Sequence, residues 1–356
     1  MTAGELRALV PHIRRWGREL GFQQLGIADI DLSKAEARLF QWLQQGYQGD
    51  MHFLHKHGTK RSRPAELVPG TMRVLCVRMD YLPESQAQSW QQLRDPRGAF
   101  IARYALGRDY HRLMRRRLQQ LAQRMEAQIG PFGYRAFVDS APVLEKPLAQ
   151  QAGLGWMGKH TNLIHPRAGS WFFLGELYVD LPLPPDPPQS NHCGRCQACL
   201  DACPTGAILA PYVLDARRCI AYLTIEWKGS IPEDLRPKLG NRIYGCDDCQ
   251  LVCPWNRFAQ RTQEPDFLPR QGLDRAVLLH LFRWTEEEFL RRTEGSPLRR
   301  LGYAAWLRNL AVALGNAPPS AQIRAALREK QHHECELVRE HVAGALARQM
   351  RKSCVR

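Results

Sequence analysis

Closely spaced cysteines constrain the fold of this chain more than any other feature of its sequence. Eight of its eleven cysteines lie within residues 193–253. Residues 193–204 have the spacing C-x2-C-x2-C-x3-C-P, which is typical of bacterial proteins that bind two iron–sulfur clusters. Residues 246–254 repeat this run without its first cysteine, because Ile243 stands at that position. The pattern therefore predicts a ferredoxin-like segment that binds two [4Fe–4S] clusters.

The expected ligands follow from the rule that the fourth cysteine of such a run binds the cluster of the opposite block. One predicted ligand set consists of Cys193, Cys196, Cys199 and Cys253. The other includes the cysteine between the blocks, which replaces the missing one, and consists of Cys203, Cys219, Cys246 and Cys249. Crossed ligands would join the two ends of the segment and bring the clusters close together, as electron transfer requires.

Zinc and disulfide bonds are the alternative uses of these cysteines. Structural zinc sites usually show well-separated C-x2-C pairs rather than a run of four cysteines. Disulfide bonds would imply an oxidising compartment. The first residues have no apolar signal segment, and no apolar run approaches the roughly 20 residues of a membrane-spanning helix. We therefore expect a cytoplasmic protein that does not enter the membrane.

The chain divides into three predicted domains. Residues 181–189 contain five prolines, which make a stiff, extended linker. Residues 1–185 before it alternate strand-like runs at 74–79, 135–139 and 171–179 with helix-like segments at 6–20 and 109–129. This alternation predicts a layered α/β domain. The cluster segment comprises residues 186–256.

Residues 257–356 form the third predicted domain, which reads as helices interrupted by Gly, Pro and Asn. Helices are expected over residues 298–314, from Ser320 onward, and over residues 337–350. Stacked helix pairs of the HEAT type would fit this pattern.

The charge distribution indicates a polyanionic partner. Residues 1–190 carry 25 Lys and Arg against 17 Asp and Glu, residues 191–256 carry seven of each, and residues 257–356 carry 18 against 11. Two basic regions therefore flank a neutral redox segment, as binding to a nucleic acid would require. Ordinary solvated basic helix faces are the alternative explanation.

A polar, glycine-bounded stretch in the α/β domain is the candidate reaction site. Asp139 lies at the end of a predicted strand, where α/β sheets place ligands, and it is suited to donate a proton. Its alternative role is to cap the following turn. The glycines of residues 153–158 match a dinucleotide fingerprint only by letters, and we expect this loop to approach a large flat cofactor instead.

Several strings resemble the epoxyqueuosine reductase family. Three of them read RYALGRDYH at residues 103–111, FVDSAP at 137–142 and GCDDCQLVCPWN at 245–256, and the cysteine-rich half of the match is highly specific. Further matches are GLGW with Gly158 and Lys159, the first cysteine block, and residues 215–219. Members of this family use cobalamin and iron–sulfur clusters to reduce the epoxide of epoxyqueuosine to the alkene of queuosine, at the wobble position of tRNA.

The resemblance implies roles for individual residues. Asp139 would protonate the departing oxygen, with a pKa raised by burial beside the corrin. The implied cobalamin contacts are Asp139, Arg61, Lys159, His160 and Ser170. The chain contains no D-x-H-x-x-G string, so no histidine of that motif would ligate the cobalt.

The resemblance also names partners. The anticodon loop of tRNA is single-stranded, so its modified base can enter a site without opening a duplex. Arg217, Arg218 and Tyr222 match family positions near the substrate, and Arg299, Arg300 and Arg308 would extend a basic surface. An external donor, which the sequence does not identify, would supply electrons, and we expect a monomer.

Two other functions fit part of the sequence. A reductive dehalogenase combines a cobalamin domain with a pair of clusters, but such enzymes are commonly exported and have little use for a net charge of +15. A plain electron-transfer protein of the ferredoxin type would leave about 190 residues without a role.

Overall fold

The computed structural model describes residues 2–354. These residues form helices and mostly short strands. The helices are α1 (Ala3–Glu19), α2 (Ser33–Gln44), α3 (Pro64–Leu67), α4 (Gln86–Arg94), α5 (Tyr110–Ile129), α6 (Glu145–Gln151), α7 (Ala198–Asp201), α8 (Asp248–Leu251), α9 (Leu278–Phe282), α10 (Glu286–Arg292), α11 (Tyr303–Asn316), α12 (Ala321–Glu329) and α13 (Glu336–Cys354). The strands are β1 (Gln24–Ala28), β2 (Arg73–Asp80), β3 (Phe100–Ile101), β4 (Tyr134–Phe137), β5 (Trp156–Met157), β6 (Leu163–Ile164), β7 (Phe172–Val179), β8 (Ile208–Ala210), β9 (Val213–Leu214) and β10 (Arg242–Tyr244).

A four-stranded sheet forms the centre of the N-terminal region. Its strand order is β1-β2-β7-β4, and each neighbouring pair is antiparallel. The three strands predicted from apolar runs are confirmed as β2, β4 and β7. Strand β4 ends at Phe137, two residues before Asp139. Asp139 therefore lies in the loop that leaves the sheet.

Both faces of the sheet are covered, which explains why β7 reads as an almost continuous apolar run. Phe173, Leu177 and Val179 pack with α1 and α5 on one face. Phe172 and Tyr178 point to the other face and pack near α6. Glu176 also belongs to the α6 face, because side chains alternate along a strand. A carboxyl group therefore lies inside an otherwise apolar layer.

Helix α5 positions a histidine beside the Asp139 loop. The predicted N-cap is confirmed, since the Asp109 side chain accepts a hydrogen bond from the His111 backbone amide at 3.0 Å. Tyr110 stacks on Phe173 with ring centroids 3.7 Å apart. These contacts fix the first turn of α5 against the sheet.

Strand pairing and buried polar contacts connect the cysteine-rich segment to the N-terminal domain. Strand β10 pairs with β3 in parallel. The buried guanidinium of Arg103 forms an ion pair with Glu84. The backbone amide of Arg103 donates a hydrogen bond to the Asp247 carboxylate at 2.8 Å. The Asn256 and Gln250 side chains donate to the Ser170 hydroxyl at 3.0 and 3.1 Å. This segment and the sheet domain thus share an interior.

The C-terminal region is helical, as predicted. Helices α9, α11, α12 and α13 share one apolar core that extends to β3 and β10. HEAT-type stacking stays a prediction. The surface role predicted for Arg308 is wrong, because its guanidinium is fully buried and donates to the carbonyls of Trp227, Gly229 and Leu223. Within residues 2–354, no helix combines the length and apolarity needed to cross a membrane.

Candidate active site

One group of cysteine thiols lines a pocket that is partly open to solvent. The thiols come from both blocks and belong to Cys193, Cys196, Cys199 and Cys253. Burial, together with the nearby thiols of this group, raises the pKa of Cys199 to about 11. This is the first set that the crossed-ligand rule predicts.

The other four thiols form a second group close to the first. Burial raises the pKa of Cys219, and the Cys203 thiol adds to that effect. Cys219 is in turn within electrostatic reach of Cys246 and Cys249, and Cys249 also senses Cys199 of the first group. Within residues 2–354, no three His, Cys, Asp or Glu side chains converge on the position of a single metal ion. The two ligand sets remain predictions. The grouping of the thiols in the structure agrees with the membership of each predicted set.

Asp139 ends a chain of polar groups that sequence reasoning did not assign. Its Oδ2 lies 3.1 Å from Nε2 of His111, and Nδ1 of His111 lies 2.6 Å from Oδ1 of Asp109. Arg300 donates to Oδ2 of Asp109 at 2.8 Å. A histidine between two carboxylates has an acceptor for each of its ring N–H groups when it is protonated. The chain is therefore able to hold a proton next to Asp139.

The electrostatics place that proton on His111. Burial disfavours the imidazolium, but the hydrogen bonds to Asp109 and Asp139 outweigh burial and raise the pKa of His111 to about 9. Burial also opposes ionisation of Asp139, yet the hydrogen bond and charge of His111 hold the pKa of Asp139 below its ordinary value. The pKa of Asp139 in the protein alone is therefore lowered, because the protein supplies a cationic partner to that carboxylate, and the raised pKa expected beside a corrin stays a prediction.

The Asp139 loop has an unusual backbone conformation. Asp139 has a φ of 51°, in the left-handed region that non-glycine residues seldom adopt. Its backbone amide donates to Oε1 of Glu145, at the start of α6, at 2.5 Å. The side chain of Asp139 is 54% exposed although burial is the largest influence on its pKa. A carboxyl group on the floor of an open cleft has these properties.

The second cysteine group lies near the Asp139 loop. Lys146, the neighbour of Glu145, is within electrostatic reach of Cys249 and Cys219 as well as Asp139. Its ammonium group donates to the Thr161 carbonyl oxygen at 2.9 Å. Lys146 is thus close to both the Asp139 loop and a predicted cluster site.

The predicted cobalamin contacts fall in two places. Arg61 lies within electrostatic reach of Glu145 and Asp139, and its guanidinium donates to the carbonyls of Leu54 and Phe53. Lys159, His160 and Ser170 lie against the cysteine-rich segment instead.

In that second place, Lys159 donates to the carbonyls of Gly194 and Cys196 at 2.8 Å each, and His160 lines the first thiol cavity. Ser170 is held in its buried network with Asn256 and Gln250. Burial and the charge of Lys146 lower the pKa of His160 to about 4, so this imidazole is neutral.

Close packing accounts for the glycine-rich stretch of residues 153–158. A Cβ atom on Gly155 would lie 2.3 Å from the Ile164 carbonyl oxygen, and one on Gly158 would lie 2.6 Å from Cδ1 of Ile164. Strands β5 and β6 form a tight hairpin there. Approach to a cofactor stays a prediction for this loop.

The residues predicted to bind tRNA lie together beside the second cysteine group. The Arg217 guanidinium is 51% exposed and is held by Asp215 at 2.9 Å. Arg218 donates to the Thr205 carbonyl oxygen at 2.8 Å. The Tyr222 ring is buried, and its hydroxyl accepts a hydrogen bond from the Asp50 backbone amide at 2.9 Å.

A family described as "Epoxyqueuosine reductase QueG, DUF1730" matches residues 61–140, and a "4Fe-4S double cluster binding domain" matches residues 192–256. An epoxyqueuosine reductase of Pseudomonas aeruginosa is 63% identical over 341 residues, which are 96% of this chain and 94% of that protein. An epoxyqueuosine reductase of Escherichia coli is 54% identical over 353 residues, which are 99% and 93% of the two chains.

Two solved structures are similar over most of their length. One is an epoxyqueuosine reductase with a tRNA-Tyr epoxyqueuosine-modified stem loop, with a TM-score of 0.89, 28% identity, and coverage of 97% of this chain and 91% of that one. The other is an epoxyqueuosine reductase of Bacillus subtilis, with a TM-score of 0.88, 27% identity and the same coverage. In that structure the loop of a catalytic aspartate is swung out of the active site.

Proposed function

Because the chain belongs to the epoxyqueuosine reductase family, we propose that it reduces the epoxide of epoxyqueuosine in tRNA to the alkene of queuosine. This conversion breaks two C–O bonds, consumes two electrons and two protons, and releases water. The active site must therefore receive electrons one at a time and deliver protons to an oxygen. The observation that carries the proposal is the 63% identity over 96% of the chain.

The clusters and cobalamin supply the two electrons when they are bound. We propose that the cysteine-rich segment holds two [4Fe–4S] clusters, which is supported by the double cluster match and by the four cysteines from both blocks that line one pocket. We propose the cleft between Asp139 and the second cysteine group as the cobalamin site. Its support is the half-exposed carboxylate of Asp139, with Arg61 and Lys146 close by and the second thiol group within electrostatic reach of Lys146.

The two thiol groups differ in their access to solvent. Cys196 of the first group is exposed, whereas Cys219, Cys246 and Cys249 of the second are partly covered. An external electron donor would therefore approach the first group, and the second lies beside the cleft. In this order, electrons would pass from the donor to the first cluster, then to the second cluster, and then to the cleft, with a short transfer between each pair of neighbouring sites.

Proton delivery is assigned to Asp139 and His111. Asp139 faces the cleft and is the group that would transfer a proton to the departing oxygen. Since the pKa of His111 is raised to about 9, the imidazolium holds a proton 3.1 Å away at neutral pH and is positioned to recharge the carboxylate. Asp109 and Arg300 orient the ring from its other side.

Replacement of His111 by glutamine is expected to lower kcat by about 10- to 100-fold, because an amide orients Asp139 but cannot hold its proton. The pKa of about 9 also predicts that turnover of the unmodified enzyme falls as pH rises through that value, where the imidazolium loses its proton. The variant should lack this alkaline fall. The measurement is kcat against pH under saturating reductant.

The matched control is His12→Gln, which changes an exposed histidine on α1. Its pH profile should match that of the unmodified enzyme. An unchanged alkaline fall in His111→Gln would show that another group titrates, and His111 would lose its role as proton holder.

We propose that tRNA contacts the basic surface next to the cleft. Arg217 and Arg218 lie there with exposed side chains, and guanidinium groups bind phosphate well. Arg300 is a further basic side chain near Asp139, to which it is connected through Asp109 and His111.

A substrate comparison tests the proposed function against the dehalogenase alternative. The protein would be reconstituted anaerobically and given either an anticodon stem loop that carries epoxyqueuosine or a set of small aryl halides. We expect the nucleoside to lose one oxygen and halide release to stay at the level without protein. Halide release with an intact epoxide would overturn the proposed function.

A further inference from the structure

A carboxyl group without an ordinary partner lies at the centre of the sheet. Glu176 is on the inner strand β7, is fully buried, and neither of its carboxylate oxygens accepts a hydrogen bond. An unpaired ionised carboxylate is very costly in such a place. The cationic groups of this layer are engaged elsewhere, since Arg61 and Lys146 donate to backbone carbonyls. Glu176 is therefore expected to keep its proton.

The acceptor for that proton is the carboxyl group of Glu145. The two side chains lie within hydrogen-bonding reach of each other. Burial, with the charge of Glu145, raises the pKa of Glu176 well above its ordinary value, and burial with the charge of Asp139 raises the pKa of Glu145 to about 7. A buried carboxyl group and a partly buried one at hydrogen-bonding distance behave as a pair that shares one proton.

Glu145 connects this pair to the reaction site. The same carboxyl group accepts the backbone N–H of Asp139 at 2.5 Å, where the chain has its left-handed φ of 51°. A strained backbone persists only where its surroundings hold it, and a hydrogen bond to an ionised acceptor is among the stronger ones. The loop has few other anchors, since the Ser140 hydroxyl reaches only the Val138 carbonyl at 3.4 Å.

We propose that Glu145 and Glu176 are positioning residues: Glu176 donates its proton to Glu145, and Glu145 in turn holds the Asp139 loop so that this carboxylate faces the cleft and touches His111. The inference rests on the proposed function, in which Asp139 donates the proton. In a solved relative, the loop of a catalytic aspartate leaves the active site, so such a loop needs a contact that retains it.

The charged and titratable groups around Glu145 come from several elements. They are Asp139, Lys146, Glu176, Arg61, Cys76, Tyr110 and Tyr178. Glu145 itself is the group that accepts the backbone N–H of Asp139. The carboxyl of Glu145 is therefore the group whose removal tests the proposal.

Two substitutions at Glu145 separate positioning from folding. Glu145→Leu removes the acceptor and is expected to lower kcat by about 100-fold, because small displacements of a catalytic group have effects of this size. KM for the tRNA should stay unchanged. Glu145→Gln is expected to recover most of the activity, since its amide oxygen accepts from Asp139 and its NH₂ group donates to Glu176. Wild-type kcat in Glu145→Leu, or equal losses in both variants, would overturn the proposal.

The shared proton has a readout that does not depend on turnover. Infrared difference spectra of the wild-type protein and Glu176→Gln, recorded above neutral pH, should show a protonated carboxyl band that the variant lacks. Glu19→Gln, a half-exposed carboxylate on α1, is the control and should leave this band unchanged. Absence of the band from the wild-type protein would contradict the shared proton. An inactive wild-type protein that shows the band would contradict the proposed function alone.

Discussion

Replacement of Asp139 by asparagine is expected to lower turnover by about 10²- to 10⁴-fold, the range that general acids contribute. Asparagine has the size of aspartate and keeps its backbone contact with Glu145. It cannot carry the transferable proton, and its amide cannot take one from His111. The measurement is the rate of epoxide reduction with saturating reductant and tRNA.

Asp139→Asn has two controls, which are measurements of its cluster content and stability and a second variant at an exposed aspartate. Iron and sulfide content and the melting temperature of Asp139→Asn should equal those of the unmodified protein, because Asp139 is not among the predicted cluster ligands. Asp201→Asn, at an exposed position of α7, should keep full activity. Turnover of Asp139→Asn within a few-fold of wild type would remove this residue from proton delivery.

Serine substitutions in the two thiol groups are expected to remove different clusters and to abolish turnover. Cys253→Ser should lose the cluster of the first group, although Cys253 is 54 residues distant from Cys199 in the sequence. Cys203→Ser should lose the cluster of the second group, although it belongs to the first block. Each variant should keep about half of the iron, with one of two electron paramagnetic resonance signals missing.

Cys335→Ser provides the control, because this partly buried thiol packs against the helical core far from both groups. It should retain all iron and both signals. Cys199→Ser should lose the same signal as Cys253→Ser. If Cys199→Ser instead loses the signal that Cys203→Ser loses, the crossed assignment is contradicted and one cluster for each sequence block is favoured.

The thiol groups could be predicted from the sequence because their chemistry is local. A cluster requires ligands at short, fixed spacings, and these spacings can be recognised directly as a sequence motif. The N-cap of α5 is local in the same way, since Asp109 bonds the amide two residues ahead of it. Long apolar runs likewise predicted β2 and β7, whose residues are buried on both faces of the sheet.

The proton-holding groups could not be predicted because they meet across long separations in the chain. His111 and Asp139 are 28 residues apart, and Arg300 and Asp109 are 191 apart. Residues 103–111 carried the family resemblance, but nothing in the spacing indicated that a histidine there faces Asp139. The lowered pKa of Asp139 follows from this unseen partner.

Burial of charged groups was also hidden from the sequence. Arginine is usually a surface residue, but helix α11 is packed on all sides. The guanidinium of Arg308 therefore donates to backbone carbonyl oxygens inside the protein. Glu176 interrupts an apolar strand, where a single charged letter suggests a solvent-facing position. The sheet is covered on that face, so the carboxyl is enclosed.

The most direct test of the account is the fate of one oxygen atom. The protein would be reconstituted anaerobically with iron and sulfide, reduced, and incubated with tRNA from cells that lack the enzyme, with and without added cobalamin. Mass spectrometry of the digested nucleosides should show epoxyqueuosine converted to queuosine only when cobalamin is present and both clusters are intact. An unchanged epoxide under those conditions, or equal conversion without cobalamin, would contradict the account.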